Sequence, residues 1–175
     1  MDNKLSYRNE DDKCYGATGM AVALVVLNGE DRLSAVALDA APGEIMEMQS
    51  EFYFSGNPSL SAKTVWHTMK DNFALTVGML ISNIMCRRIV LDSETVDNDL
   101  RSQIFSVINE EGKEACGLED DELDILFDKE YRYLLRVFNH RAVQSVAHDF
   151  ANQLKRRRHL SRLEVLEELR ALANL

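Results

Sequence analysis

The sequence predicts an α+β protein: a three-stranded antiparallel meander near the N-terminus, then a long central helix and about four further helices. Three observations carry this reading. Short apolar runs separated by the Asn28-Gly29 and Pro42-Gly43 turn signals crowd residues 20–54. A helical apolar period then runs from about Ala62 to Leu91, and shorter stretches of the same period fill 94–175, where no proline occurs. Residues 1–15 are polar and acidic and are expected to form a flexible tail, leaving 16–175 as a single domain. A chain of 175 residues can hide about 70% of its unfolded surface, enough for one core.

The elements follow in order. Met20 to Leu27 is apolar on both alternating sets, as in a strand covered on both faces. Asn28 and Gly29 tolerate the positive φ angles of a tight hairpin turn, so the chain is expected to return through a second strand, Leu33 to Leu38. Ile45 to Phe54 alternates, with Met46, Met48, Phe52 and Phe54 on one face, and completes the meander. Gly56, Asn57 and Pro58 should end the sheet, and Ser59 or Ser61 should cap the long helix. On that helix Ala62, Trp66, Met69, Phe73, Val77, Leu80 and Ile84 form one stripe, expected to lie on the sheet. Leu75, Met79, Cys86 and Val90 form a second stripe nearly opposite, so the helix should be sandwiched, with Gly78 marking close packing or a kink.

Val96, Leu100, Ile104, Val107 and Ile108 form a further stripe, Leu123, Leu126, Phe127 and Leu134 another, and Val143, Val146, Ala147, Phe150 and Leu154 a third. The last helix opens with Ser161 and Glu164 at capping-box spacing and carries Leu163, Leu166, Leu169 and Leu172.

The formal charge is -9, but it is not spread evenly. Residues 1–60 carry -6, 61–91 carry +3, 92–130 carry -11 and 131–175 carry +5. The dense basic run Lys155, Arg156, Arg157 and Arg158 is expected to pair with the acidic segment from Asp92 to Glu130. Arg132, Arg136 and His140, spaced by four, are expected to bridge to the acidic helices as well. Nucleic acid is disfavoured as a partner, because the bases of the run spread around a helix end and an acidic protein repels phosphates at long range.

No GxGxxG, P-loop, HExxH, CxxC or nucleophile elbow occurs, so no cofactor or metal is expected. The acidic cluster from Asp120 to Asp128 lacks the glycine and ligand alternation of a calcium loop. Cys14, Cys86 and Cys116, odd in number and far apart, read as free thiols of a cytoplasmic protein. No signal peptide and no apolar run of membrane-spanning length is apparent, so no membrane partner is expected. Two constellations could carry chemistry. His67 and Asp71, four apart on the long helix, have the spacing of a weak acid/base pair. Asn72, Thr76, Asn83 and Arg87 make a polar line between the two apolar stripes and are candidates to bound a ligand pocket.

These features point to a non-catalytic association or assembly protein acting as a homodimer, other protein partners being possible. One alternative is a small-molecule binder or enzyme using the polar line. Another is a nucleic-acid accessory protein using the basic run.

Overall fold

The computed structural model describes residues 5–50 and 62–174. Its elements are α1 (Glu10–Val26), β1 (Leu33–Ala37), β2 (Met46–Met48), α2 (Ala62–Met85), α3 (Asn98–Cys116), α4 (Asp120–Asn139), α5 (Arg141–Arg157), β3 (His159–Ser161) and α6 (Arg162–Glu168). Helix α2 runs on through a π-helical turn, Cys86–Leu91, and the chain closes with a 3-10 segment, Arg170–Asn174. The α+β class is present, with a three-stranded antiparallel sheet, two of whose strands precede the long helix in the chain.

The third strand is not the expected one. Residues 20–26 belong to α1, with Leu27 its C-cap, and the sheet has the order β2-β1-β3, with Val36 opposite Met46 on one side and Leu160 on the other. A short run apolar on all sides fits a buried helix as well as a buried strand, since periodicity cannot separate the two. The deciding signals lie upstream. Asn9 caps α1 by accepting the Asp12 amide at 2.9 Å, and Glu10, Asp11 and Asp12 place negative charge at the positive end of the helix dipole. Residues 10–15, expected in a flexible tail, are therefore the first turns of a helix in which Asp12 and Cys14 are buried. Asn28-Gly29 ends that helix instead of turning a hairpin. The Gly29 amide donates to the Leu24 carbonyl at 2.7 Å and the Asn28 amide to Val25 at 3.2 Å, with Asn28 at φ 55°. This is the paired C-terminal closure that needs a left-handed residue.

Strand β1 pairs as expected, and β2 covers the start of the expected Ile45 to Phe54 strand. Phe52, Phe54, the Gly56-Asn57-Pro58 turn, the Ser59 or Ser61 cap and the Ala62 side chain lie outside the described residues. The sheet is completed from the far end of the chain, because the closing turn after α5 delivers His159–Ser161 alongside β1.

Helix α2 is buried on two sides, as its stripes require: Phe73, Val77 and Ile84 on one, Leu75, Met79, Cys86 and Val90 on the other. It does not lie on the sheet. Its main neighbour is α1, its other faces meet α4 and α3, and the sheet packs on α1 and α6. Small residues permit the close α1–α2 approach. A methyl group on Gly19 would fall onto the Ser82 carbonyl, and one on Gly78 onto the Leu27 side chain. Trp66, expected in the sheet-facing stripe, is 41% exposed, and Leu163 of α6 is 78% exposed. The segment Val65–Leu91 is long and apolar enough to cross a membrane by composition, with a mean hydropathy of 1.5, yet 67% of that window is buried within the protein, as in a core helix.

Candidate functional site

The polar line of α2 divides between two surroundings. At its C-terminal end Arg87 is buried and grips the segment before α1. Its guanidinium donates to the carbonyls of Leu5 at 3.0 Å and Ser6 at 2.6 Å, to Asp12 Oδ2 at 2.6 Å, and lies 5.0 Å from the centre of the Tyr7 ring. Asn83 extends the network, its Nδ2 donating to the Tyr7 hydroxyl at 2.7 Å. Burial by itself would raise the Asp12 carboxyl. Hydrogen bonds from Arg87 and Arg8 outweigh it and hold the group well below the usual carboxylate range. These residues fasten the N-terminal segment to the π-helical turn.

Thr76 and Asn83 also border a cavity of about 290 Å³ whose walls include Met20, Met46, Met48 and Met79. Asn72 is buried to the same degree as Asn83, and its main-chain carbonyl accepts the Thr76 hydroxyl at 3.0 Å. Two of the four pocket candidates therefore meet a cavity, while Asn72 and Arg87 do not line it.

His67 and Asp71 are both exposed on α2. Asp71 stands beside a groove between α2 and α4. Two adjoining hollows, about 300 and 370 Å³, share Asp71, Ala74 and Lys129, and the second reaches Leu118, Ile125 and Leu126. Lys70 on its edge bridges to Glu122 at 3.3 Å and sits 5.9 Å from the Trp66 ring centre.

The basic run pairs elsewhere than expected. Lys155 meets Asp11, Arg157 meets Glu164, and Arg158 meets Glu10 at 2.9 Å as well as Asp39; Arg156 donates to Gln153 at 2.5 Å. None of these partners lies in 92–130, because the C-terminus of α5 comes down on the start of α1 and the end of β1. The acidic segment is served by its own neighbourhood, with Arg101 and Arg132 on Asp128 and Lys113 on Asp120. Arg158 adopts φ 67° at the C-cap of α5, and its carbonyl accepts the Leu38 amide at 2.8 Å.

Two arrangements were not foreseen. The Tyr15 hydroxyl lies 2.7 Å from His148 Nδ1, joining α1 to α5 at the surface. Arg136 and His140, expected to bridge to acidic helices, instead line a cavity of about 400 Å³ with Val25, Val26, Val137 and Val143. The four-residue spacing placed the two on one face; what that face meets depends on the turn between α4 and α5.

The three thiols are free and buried. Burial pushes the Cys14 thiol up to about 11, and Cys86 and Cys116 are raised by the same cause, so none is a ready nucleophile. Among the described residues no cluster of three or more His, Cys, Asp or Glu is placed to hold a metal ion. Comparison with protein-family models, with curated proteins and with solved structures finds no match.

Proposed function

We propose that this chain is a non-catalytic association protein that pairs with a second copy of itself through the groove between α2 and α4. The observation that carries the reading is a groove without net formal charge on an acidic protein, apolar at its Leu118, Ile125 and Leu126 end. Trp66 and Ile125 are exposed beside it, at 41% and 70%, and Ala74, Leu118 and Leu126 lie along it. The charged residues lining its two hollows balance, with Arg32, Lys70 and Lys129 against Asp71, Glu122 and Glu130. A twofold interface sets one patch against itself, so a patch without net charge avoids like-charge repulsion between the copies. The formal charge of -9 would otherwise oppose self-association. The buried thiols suit a reducing, cytoplasmic setting.

Light scattering coupled to size exclusion is the test. The wild-type chain is expected to run as a dimer at micromolar concentration, and Ile125→Asp as a folded monomer with an unchanged circular dichroism spectrum. A wild-type monomer mass, or an Ile125→Asp dimer, would overturn the proposal.

A further inference from the structure

The cavity between α1, α4, α5 and the closing 3-10 segment differs in character from the groove. Its walls are apolar, made by Val25 and Val26 of α1, Val137 of α4, Val143 of α5 and Leu172. At about 400 Å³ it falls within the size range of small-molecule sites, roughly 300–1,000 Å³. Arg136 and His140 line it together with Asn28 and Tyr133, and no Asp or Glu is among its described lining residues. Arg136 forms no ion pair with any described residue, whereas Arg132, one turn earlier on α4, bridges to Asp128. In a chain with 29 acidic side chains, a cavity edged by an arginine and a histidine, with no Asp or Glu among its described lining residues, selects by charge as well as by shape.

We infer that this cavity binds a small amphipathic carboxylate, its apolar body between the valines and its head group on Arg136 and His140. The planar guanidinium offers two parallel N–H donors that match the two oxygens of a carboxylate. His140 adds a third donor from the turn. Tyr133 is committed to the frame, its hydroxyl donating to the Val26 carbonyl at 3.1 Å, so it fixes α4 against α1 and leaves the head group to Arg136 and His140.

The experiment titrates the full chain with octanoate, octylamine and acetate, following methyl and amide NMR shifts and the heat of binding. Octanoate is expected to bind saturably with shifts confined to the cavity valines, Leu172 and residues 136–140; octylamine and acetate are expected not to. Arg136→Gln should weaken octanoate about tenfold or more, as loss of a charged hydrogen bond does. Ala173→Trp, at an exposed wall position, should abolish binding by filling the space. Both substitutions lie on the surface, and circular dichroism checks that the fold persists. Equal binding of octylamine, binding of acetate as tight as octanoate, an unaffected Arg136→Gln, or no saturable binding of octanoate would each overturn the inference.

Discussion

Arg87 and Asp12, 75 residues apart in the chain, form an ion pair at 2.6 Å with side chains only 4% and 0% exposed. Removing one partner of such a pair strands the other in a low-dielectric interior. Asp12→Asn or Arg87→Met should each cost about 3–5 kcal/mol in urea melts. The Asp12 carboxyl titrates lower in the folded chain than unfolded, so its contribution is present above about pH 4 and is lost as pH falls toward the folded value. Asp12→Asn should therefore flatten the acid limb of the stability curve. Cost below about 1 kcal/mol in both variants would mean that the N-terminal segment is not fastened there.

The α1–α2 contact depends on Gly19. Gly19→Ala puts a methyl group on the Ser82 backbone carbonyl, which cannot swing aside, while Gly43→Ala meets nothing within 4 Å. The first should destabilise by about 1–3 kcal/mol or more, and the second should leave the melting temperature within about a degree or two. Thermal denaturation of the two variants side by side decides the matter.

Phe73 is 8% exposed, and its ring converges with Leu123 on Gly112 of α3. Phe73→Ala should cost about 3–5 kcal/mol through a cavity between α2, α3 and α4. Because Phe73 meets Gly112 of α3 and Leu123 of α4, amide exchange should quicken in α3 and α4 before β1. Faster exchange in β1 alone would contradict the packing.

Ser161 and Glu164 form a reciprocal cap, with the Ser161 amide and hydroxyl each 2.8 Å from Glu164 Oε2. Hydrogen bonds from the Ser161 backbone and hydroxyl, and then from Arg157, lower the Glu164 carboxyl to about 2. A depressed carboxyl stabilises above its unfolded value, near 4.3, and that stabilisation fades as pH falls toward about 2. NMR titration of Glu164 should show this midpoint. Ser161→Ala should raise it and cost about 0.5–2 kcal/mol.

Arg158 ties three elements together through Glu10, Asp39 and the Leu38 amide. Its ion pairs are exposed, so Arg158→Ala should lower the melting temperature most at low salt, and the difference should shrink in 1 M NaCl. If stability were unchanged but binding to DNA at physiological salt were lost, the basic run would serve a nucleic acid and not the fold.

The sequence by itself determined what depends on local spacing. The long helix, the strand expected from Leu33 to Leu38, the Ser161–Glu164 cap and the two-sided burial of α2 follow from turn chemistry and period, which neighbours in the chain set, whereas the choice of close packing over a kink at Gly78 rests on its contact with Leu27. Polar residues on the α2 line were legible as a group, because a 3.6-residue period puts Asn72, Thr76, Asn83 and Arg87 on adjoining faces. Tertiary structure decided everything that a nonlocal contact sets. Residues 20–26 are covered by α2 as part of a helix whose start, the Asn9 cap and the acidic turn at 10–12, was itself legible locally; the third strand came from 159–161; and the basic run found Glu10, Asp11 and Asp39 instead of 92–130. Charge tallies give the sign of a segment but not its neighbour, since exposed ion pairs are too weak to choose a topology and form wherever packing of the apolar core brings opposite charges together.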